Sequence, residues 1–331
     1  MSECQLKGRL ILGAKLVLAA AVIYWLLRSG TLEFGRLAEL RERWAWFALA
    51  NLPYCLAQIV ATIRWRLLLR VGSIDYSFRA VMELTFIGLF FNQMIFGSTG
   101  GDVVRGYAVA VEQPGLRGAA VMSVMVDRVL GFVVLLVMTL AAAALRVGLL
   151  VEHADLAVLV ALVAAALVGA AVATWACFSP WVRGHPIAAR LFAKLPGRHL
   201  FERFAEALEI YGRRPRDMWL ASAQSLLLHV GIVAMNLCLV VALVEGPFDW
   251  VAILLLVPLA HVAMTIPINP PGAIGTAEAI YAYLFSLIGI SQGGLVCILQ
   301  RLILYLWALP GGLFWVLRRR QLPAAPATDE S

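Results

Sequence analysis

Ionisable side chains stand out at four places inside the apolar segments of this 331-residue chain. They are the pairs Asp102/Arg105 and Asp127/Arg128, then Glu278, then Arg301. A charged residue at the centre of a membrane helix costs about 2.5–3.5 kcal/mol on insertion scales, so it usually has a partner or a task. Arginine suits phosphate because its planar guanidinium offers paired donors to the phosphate oxygens. These residue types therefore predict a site for an anionic head group at membrane depth.

Two glycine-rich breaks accompany the charges, at 97–101 before Asp102 and at 270–275 before Glu278. Each break is expected to leave a helix N-terminus whose free N–H groups and dipole favour an anion. The glycines remove side chains that would block close approach of a ligand. The predicted substrate-binding residues are Asn92, Gln93, Gly100, Gly101, Asp102, Arg105, Asp127, Arg128, Gly272, Gly275, Glu278 and Arg301.

Each charged residue also has a purely structural interpretation. Asp102 and Arg105, three residues apart on one helix face, could form an ion pair that lets a short helix sit in the membrane. Asp127 and Arg128 point about 100° apart on a helix, so each is expected to pair with another helix. Glu278 could be a charge favoured by the helix dipole. In the functional interpretation, the acids hold the arginines, pair with a cationic head group, or carry protons for coupling.

Arg301 could snorkel towards the interface instead of binding a ligand. The two histidines inside apolar runs, His229 and His261, are expected to be hydrogen-bonded core residues.

The chain carries no motif for metal or covalent catalysis. No HExxH, GxSxG or Walker A sequence is present, and the five cysteines are widely spaced. We therefore expect no metal, no cofactor and no enzymatic activity. The arginines lie in short loops between apolar runs, which is typical of juxtamembrane segments and not of a nucleic-acid-binding surface.

The composition predicts the elements that must position these residues. Hydrophobic residues make up 62% of the chain, charged residues only 14%, and the mean hydropathy is +0.86. One soluble domain could not bury so much apolar surface, but a bilayer can. We predict an all-α polytopic membrane bundle, a single domain over 1–320 with a disordered tail at 321–331. The predicted full spans are 8–28, 44–69, 118–145, 153–177, 217–243 and 294–317.

Loop charges predict the orientation in a bacterial inner membrane. The segment 183–216 carries eight Lys and Arg residues, so we place both termini in the cytoplasm. The broken segments, about 80–110 and 251–288, then enter from opposite faces as re-entrant hairpins, which is the pattern of an inverted repeat. If both arms of the second hairpin cross the membrane, the count of spans rises from six to eight. The stretch 185–216 is either an amphipathic helix on the membrane or a connecting helix packed on the bundle.

Several blocks resemble the lysylphosphatidylglycerol synthase transmembrane-region family, also described as flippase-like or UPF0104 proteins. They are IGLFFNQMIFGSTGGDVVRGYAVA at 87–110, VDRVLG at 126–131, NPPGAIGTAEA at 269–279, QRL at 300–302 with Tyr305, and Arg64-Trp65-Arg66. The resemblance covers nearly the whole chain. It implies an integral membrane protein whose best-understood relatives move aminoacylated phosphatidylglycerol between leaflets, while others are associated with lipid-linked sugars, polyprenyl carriers or hopanoids.

The resemblance places the family's acidic and basic positions on Asp102, Arg105, Asp127, Arg128, Glu278 and Arg301. Two positions depart from the family pattern: Gly97 stands where proline is common, and Ala273 where glycine is common. The chain also lacks the aminoacyltransferase domain of the fused synthases, so it is not expected to make lysyl-phosphatidylglycerol.

We therefore expect a flippase-like translocase of a phospholipid or lipid-linked head group. A proton-coupled solute transporter would use the same broken helices and membrane carboxylates. A third alternative is a non-transporting accessory subunit, which would pair the chain with a lipid-modifying enzyme. An enzyme acting on a lipid phosphate is disfavoured because the sequence shows no dense catalytic constellation.

Overall fold

The computed structural model describes residues 42–94, 100–178, 209–265 and 273–319. Within these ranges the chain forms a bundle of helices joined by short turns. Its α-helices are α1 (Trp44–Val71), α2 (Phe78–Met94), α3 (Gly100–Glu112), α4 (Arg117–Leu145), α5 (Val147–Glu152), α6 (Ala154–Phe178), α7 (Pro215–Leu243), α8 (Trp250–Met264), α9 (Thr276–Ser286) and α10 (Gly293–Arg319). A 3₁₀ turn, Pro114–Leu116, precedes α4. No strand occurs in the described ranges, so the predicted all-α class is confirmed.

Five of the described helices are long and apolar enough to cross a bilayer. They cover Trp44–Val71, Pro114–Leu145, Ala154–Trp175, Pro215–Leu243 and Gly293–Arg318. These match five of the six predicted spans. Large apolar side chains such as Leu52, Leu56 and Leu162 are exposed on the outside of the bundle, as lipid contact requires. The chain is therefore a multi-pass membrane protein, with backbone hydrogen bonds satisfied inside its helices.

Several predicted features fall outside the described residues. They are the span 8–28, the break at 97–99, the segment 266–272 with Gly272, the part 185–208 of the polar stretch, and the tail 321–331. The end of the polar stretch is described: the buried Tyr211 hydroxyl donates to the Leu68 carbonyl oxygen at 3.0 Å. That contact packs this end of the stretch against α1.

The central contact of the fold joins α1 and α7, which run antiparallel. At one end, Arg43 donates to the Val244 carbonyl oxygen at 3.0 Å. In the middle, a Cβ at Gly231 would lie 3.0 Å from the Pro53 carbonyl oxygen, so glycine permits the close crossing. At the other end, the residues just before α7 reach the end of α1. Small residues at such crossings bring helix backbones together.

The first broken segment forms a helical hairpin, α2–α3. The two arms cross so closely that a Cβ at Gly101 would collide with the Gly88 carbonyl oxygen. The ends of the hairpin lie together at its base, where the Tyr76 hydroxyl donates to Glu112 Oε2 at 2.6 Å. Burial raises the pKa of this hydroxyl above its usual range, and the Glu112 carboxylate adds to the shift. Arg66 Nε donates to the Tyr76 carbonyl oxygen at 2.9 Å, which fixes the base at the C-terminal end of α1.

The second broken segment forms a hairpin, α8–α9, whose base lies at the opposite end of the bundle. Asp249, the N-cap of α8, accepts from Val251 N–H at 3.1 Å and forms an ion pair with Arg146, just after α4. Glu245 binds Arg43, next to the first residue of α1, at 3.2 Å. The two hairpins are therefore inserted from opposite ends of α1, as the sequence predicts.

Helix α10 contacts both hairpins through glycine. A Cβ at Gly311 would collide with the Phe86 carbonyl oxygen of α2, and one at Gly293 with the Tyr281 carbonyl oxygen of α9. At its C-terminal end, Arg318 binds Glu112 at 2.7 Å. Gly311 thus serves close helix packing, and α10 ties the two hairpins to one another.

Candidate functional site

Asp102 is the third residue of α3, so its carboxylate lies in the first turn. Arg105, one turn further on, places Nη2 3.0 Å from Asp102 Oδ1, which is the pair that the spacing predicts. Asn92 of α2 accepts the Gly101 N–H at 2.7 Å. Asn92 therefore caps one of the N–H groups that the sequence assigned to a ligand. Its neighbour Gln93 is half-buried on the same helix, and Gly100 begins α3.

Asp127 on α4 lies at the centre of the buried charges. Its Oδ1 accepts from Arg64 Nε and its Oδ2 from Arg105 Nη2, both at 2.8 Å. The Asp127 side chain is 4% exposed and both arginines 8%. Arg64 is held in turn by Ser225 of α7, whose Oγ accepts from Nη1 at 2.8 Å. Three helices and one hairpin therefore converge on a single carboxylate.

Arg128 binds a different acid from its neighbour Asp127. Its Nη2 donates to Asp102 Oδ1 at 2.7 Å, so Asp102 joins Arg105 and Arg128. The Arg128 side chain is 54% exposed, in contrast to the buried charges beneath it. We call Arg64, Asp102, Arg105, Asp127 and Arg128 the first cluster. Arg128 is its accessible face.

Arg105 has further contacts that fix its orientation. Its guanidinium lies 4.5 Å from the Trp65 ring centroid, a cation–π distance. The Trp65 indole N–H donates to Ser123 Oγ at 3.2 Å. Arg105 Nε, which is buried, has no hydrogen-bond partner among the described residues.

The first cluster carries an excess of positive charge. Its three arginines face two aspartates, which leaves one positive charge uncompensated within the described residues. Charges removed from water are costly unless they are balanced. An anion bound at Arg128 would balance this cluster.

The second candidate group joins α9 and α10. Glu278 is the third residue of α9; its Oε2 accepts the Gly275 N–H at 2.7 Å and its Oε1 lies 2.8 Å from Arg301 Nη2. Arg301 is 15% exposed and also donates to the Ala273 carbonyl oxygen at 3.4 Å. The guanidinium therefore points at Glu278 and does not snorkel along the helix. Gly275 has φ 83°, a conformation that favours glycine.

A buried neutral network lies beside this pair. Gln300 Oε1 accepts from Asn236 Nδ2 at 2.7 Å and from the Tyr281 hydroxyl at 2.9 Å. All three side chains are buried. We call Asn236, Glu278, Tyr281, Gln300 and Arg301 the second cluster.

The two histidines inside the bundle have structural partners. His229 lies 3.0 Å from the Gly131 carbonyl oxygen and His261 2.9 Å from that of Val257, as expected for core histidines. In the part of the chain that the structure describes, no group of three His, Cys, Asp or Glu residues could hold a metal ion.

Sequence reasoning missed the partners that come from distant helices: Arg64, Ser225, Asn236 and Tyr281. The sequence analysis names Arg64 only as part of the Arg64-Trp65-Arg66 block. It lies seven residues before the last residue of α1, about 10 Å inside by helical rise, and that depth could have singled it out. Asn236 is a polar residue deep inside the apolar span 217–243, and that position could likewise have marked it as a candidate.

Comparisons with known proteins agree with this architecture. The chain is 24% identical to a UPF0104 membrane protein of Pyrococcus horikoshii over 340 aligned residues, covering 95% of this chain and 97% of that protein. No solved structure matches the chain significantly. Residues 12–311 match the family model described as lysylphosphatidylglycerol synthase TM region. The chain, a multi-pass helical membrane protein with both clusters inside the matched range, belongs to the lysylphosphatidylglycerol synthase TM region family.

Proposed function

We propose that this protein is a flippase-like translocase that binds the phosphate of a phospholipid or lipid-linked head group at Arg128. The observation that carries the proposal is the excess positive charge of the first cluster, with Arg128 54% exposed above buried partners. A phosphate at Arg128 would balance that charge and accept paired hydrogen bonds from the guanidinium.

The surroundings of Arg128 favour a lipid over a soluble solute. Val103 and Tyr107 on α3 are 70% and 63% exposed, and Val129 on α4 is 43% exposed. Val103 and Val129 are adjacent to Asp102 and Arg128 in sequence, and Tyr107 lies one helical turn after Val103; all three present side chains to the outside of the bundle. A lipid whose phosphate meets Arg128 could lay its acyl chains on that surface, where a soluble anion would gain nothing.

The depth of Arg128 favours transfer across the membrane. Arg128 is the twelfth residue of the 29-residue helix α4, about 17 Å along it by helical rise. A head group at that depth has left its leaflet. Oppositely inserted hairpins around a site at mid-depth are the arrangement by which many transporters alternate access.

The carboxylates hold the arginines in this proposal. Asp102 and Asp127 each contact two arginines, and Glu278 contacts Arg301 and the Gly275 N–H. Carboxylates with these partners orient the guanidinium groups. The proposal does not require any of them to carry a proton. We propose binding and movement without chemical conversion of the lipid, in an inner membrane with both termini in the cytoplasm.

The test is lipid movement in proteoliposomes. Purified protein is reconstituted with fluorescent anionic, zwitterionic, lysyl-modified or polyprenyl-phosphate lipids, and movement is followed by quenching of the outer leaflet. The compared proteins are wild type, Arg128→Gln and the matched control Arg70→Gln, since Arg70 forms an exposed pair with Asp75.

The proposal predicts movement of at least one phosphate-bearing lipid that Arg128→Gln reduces by about tenfold or more, the loss expected for a charge-assisted hydrogen-bond pair. Arg70→Gln should behave as wild type. Movement of no lipid, or equal movement by Arg128→Gln, would overturn the proposal; uptake of soluble phosphate or phosphomonoesters instead would identify a solute transporter.

A further inference from the structure

Helices α3 and α4 lie side by side and run antiparallel. Asp102, near the start of α3, accepts from Arg128 Nη2 at 2.7 Å. One turn further along α3, a Cβ at Gly106 would lie 3.4 Å from Val124 Cγ2, one turn back along α4. The 3₁₀ turn Pro114–Leu116 then joins the two helices. Arg128 and this turn are therefore opposite ends of one two-helix surface.

The outward side of this surface is exposed all the way from the turn to Arg128. Arg117, Val121 and Arg128 are exposed on α4. Val103 and Tyr107 are exposed on α3. Arg117 and Arg128 are eleven residues apart, which is about three helical turns, so they share one side of α4. We call these five residues the outer face.

Three of the five side chains are polar, and they are spaced along the outer face. By helical rise, Arg117 stands about 17 Å before Arg128 on α4. Tyr107 stands about 8 Å from Asp102 along α3, in the direction of the turn. Because Asp102 binds Arg128, Tyr107 lies about halfway between the two arginines. A phosphate that moved from Arg117 to Arg128 would meet a hydroxyl donor on the way.

Arg117 and Tyr107 hold their donors available to a ligand. Among the described residues, none forms an ion pair with the Arg117 guanidinium or a hydrogen bond with the Tyr107 hydroxyl. Arg70, also exposed, is instead paired with Asp75. Exposure alone therefore does not explain why Arg117 has no carboxylate partner there.

The layer beneath the outer face is apolar and closely packed. Val109 of α3 and Ala120 and Val124 of α4 are buried in one hydrophobic cluster. A charged head group that crossed this layer would lose its hydration against those side chains. Along the outer face it would meet donors at both ends and in the middle, while its acyl chains stayed in the bilayer. The outer face is therefore the less costly path to Arg128.

One leaflet is assigned to this path by the position of the turn. Glu112, the last residue of α3, binds Arg318 at 2.7 Å, and Arg318 is the next-to-last residue of α10. The turn therefore lies at the same end of the bundle as the C-terminal end of α10. Lipid that meets Arg117 comes from the leaflet on that side.

We infer that Arg117 and Tyr107 contact the head group on its way to Arg128. Arg117 draws an anionic phospholipid from the leaflet at the C-terminal end of α10, and the Tyr107 hydroxyl donates to its phosphate midway. This inference rests on the proposed function. Arg117 is an interfacial charge, so it determines how readily the lipid enters. Tyr107 acts during the passage, so it determines how fast bound lipid moves.

The experiment measures movement from each leaflet separately. Protein is inserted into vesicles in one orientation, verified by protease access to the C-terminus, and fluorescent short-chain phosphatidylglycerol is loaded into one leaflet. The half-saturating mole fraction and the maximal rate are both determined. Arg216→Gln and Tyr283→Phe are the matched controls, because Arg216 is exposed in the first turn of α7 and Tyr283 is 43% exposed on α9.

Arg117→Gln should raise the half-saturating mole fraction about fivefold from the leaflet at the C-terminal end of α10, as expected for one interfacial charge. From the other leaflet the change should stay below about twofold. Arg117→Lys should restore the wild-type value, since attraction needs the charge and not the paired donors. The difference between Arg117→Gln and wild type should disappear near 1 M salt, where the Debye length is about 3 Å.

Tyr107→Phe should leave half-saturation unchanged and lower the maximal rate about tenfold, the effect of losing one hydrogen bond to a charged group. The ring is kept, so packing on α3 does not change. Tyr283→Phe and Arg216→Gln should both behave as wild type.

Two outcomes overturn the inference alone. One is wild-type kinetics in Arg117→Gln or in Tyr107→Phe while Arg128→Gln impairs movement. The other is an equal effect of Arg117→Gln from both leaflets. Absence of lipid movement by wild type overturns the proposed function as well, so the two failures are distinct.

Discussion

Arg128 donates to Asp102 at 2.7 Å, although Asp127 is its neighbour in sequence. Asp127 instead binds the buried Arg64 and Arg105. The Arg128–Asp102 contact connects α4 to the first turn of α3. One accessible guanidinium is thereby held above two buried ones. The stability and the proposed binding of the site can be separated experimentally, because they depend on different members of the first cluster.

Replacing Arg128 by Gln should weaken phosphate binding without destabilising the fold. The change makes the first cluster electroneutral, and Asp102 keeps Arg105 at 3.0 Å. The melting temperature in detergent should stay the same or rise. A large fall, measured by intrinsic fluorescence beside Arg70→Gln, would show that Arg128 is structural.

Replacing Asp127 by Asn should be strongly destabilising. Arg64 and Arg105 would lose their shared carboxylate while remaining 8% exposed. Removing one partner of a buried ionic network costs about 3–5 kcal/mol. Equilibrium unfolding in mixed micelles would measure the loss, with Asp75→Asn as the exposed control. Wild-type stability in Asp127→Asn would contradict a structural role for the Arg64–Asp127–Arg105 network.

Replacing Gln300 by Leu should cost less than losing Asp127, about 1–3 kcal/mol. The change leaves the Tyr281 hydroxyl and Asn236 Nδ2 without the Gln300 acceptor, but it strands no charge. The same unfolding measurement ranks the two variants. An equal or larger loss for Gln300→Leu would mean that the neutral network stabilises the fold at least as much as the ionised network around Asp127 does.

Replacing Gly101 by Ala should disrupt the α2–α3 hairpin. The new Cβ would collide with the Gly88 carbonyl oxygen, which is backbone and cannot rotate away. Overpacking of this kind costs about 1–3 kcal/mol or more. Gly118→Ala is the matched control, since nothing lies within 4 Å of its Cβ position. Monodisperse elution on size exclusion should be lost in the first variant and kept in the second.

The features that the sequence predicts correctly are those determined by bilayer thickness and by helical spacing. Five spans agree with the structure because membrane thickness dictates their length. The Asp102–Arg105 pair follows from the three-residue spacing. That these residues bind substrate stays a prediction.

Contacts between distant helices could not be predicted from the sequence. Arg64 reaches Asp127 only through the rotation and register that packing imposes on α1 and α4. The hydrogen bond from the Gly101 N–H to Asn92 Oδ1 joins α3 to α2, and the sequence does not predict it; a ligand contact at Asn92 stays a prediction. Spacing within a helix predicts which residues share a face, but it does not predict which other helix that face contacts.

Helix α10 touches each hairpin where its own side chain is only hydrogen, at Gly311 and at Gly293. Backbone lies against backbone at both points, and aromatic pairs such as Phe86–Phe314 and Phe91–Trp315 pack α10 against α2 beside the first of them. A side chain larger than hydrogen at Gly311 or Gly293 would push α10 away from the Phe86 or the Tyr281 carbonyl group. The spacing of α10 from both hairpins therefore depends on two single residues, one near each end of the helix.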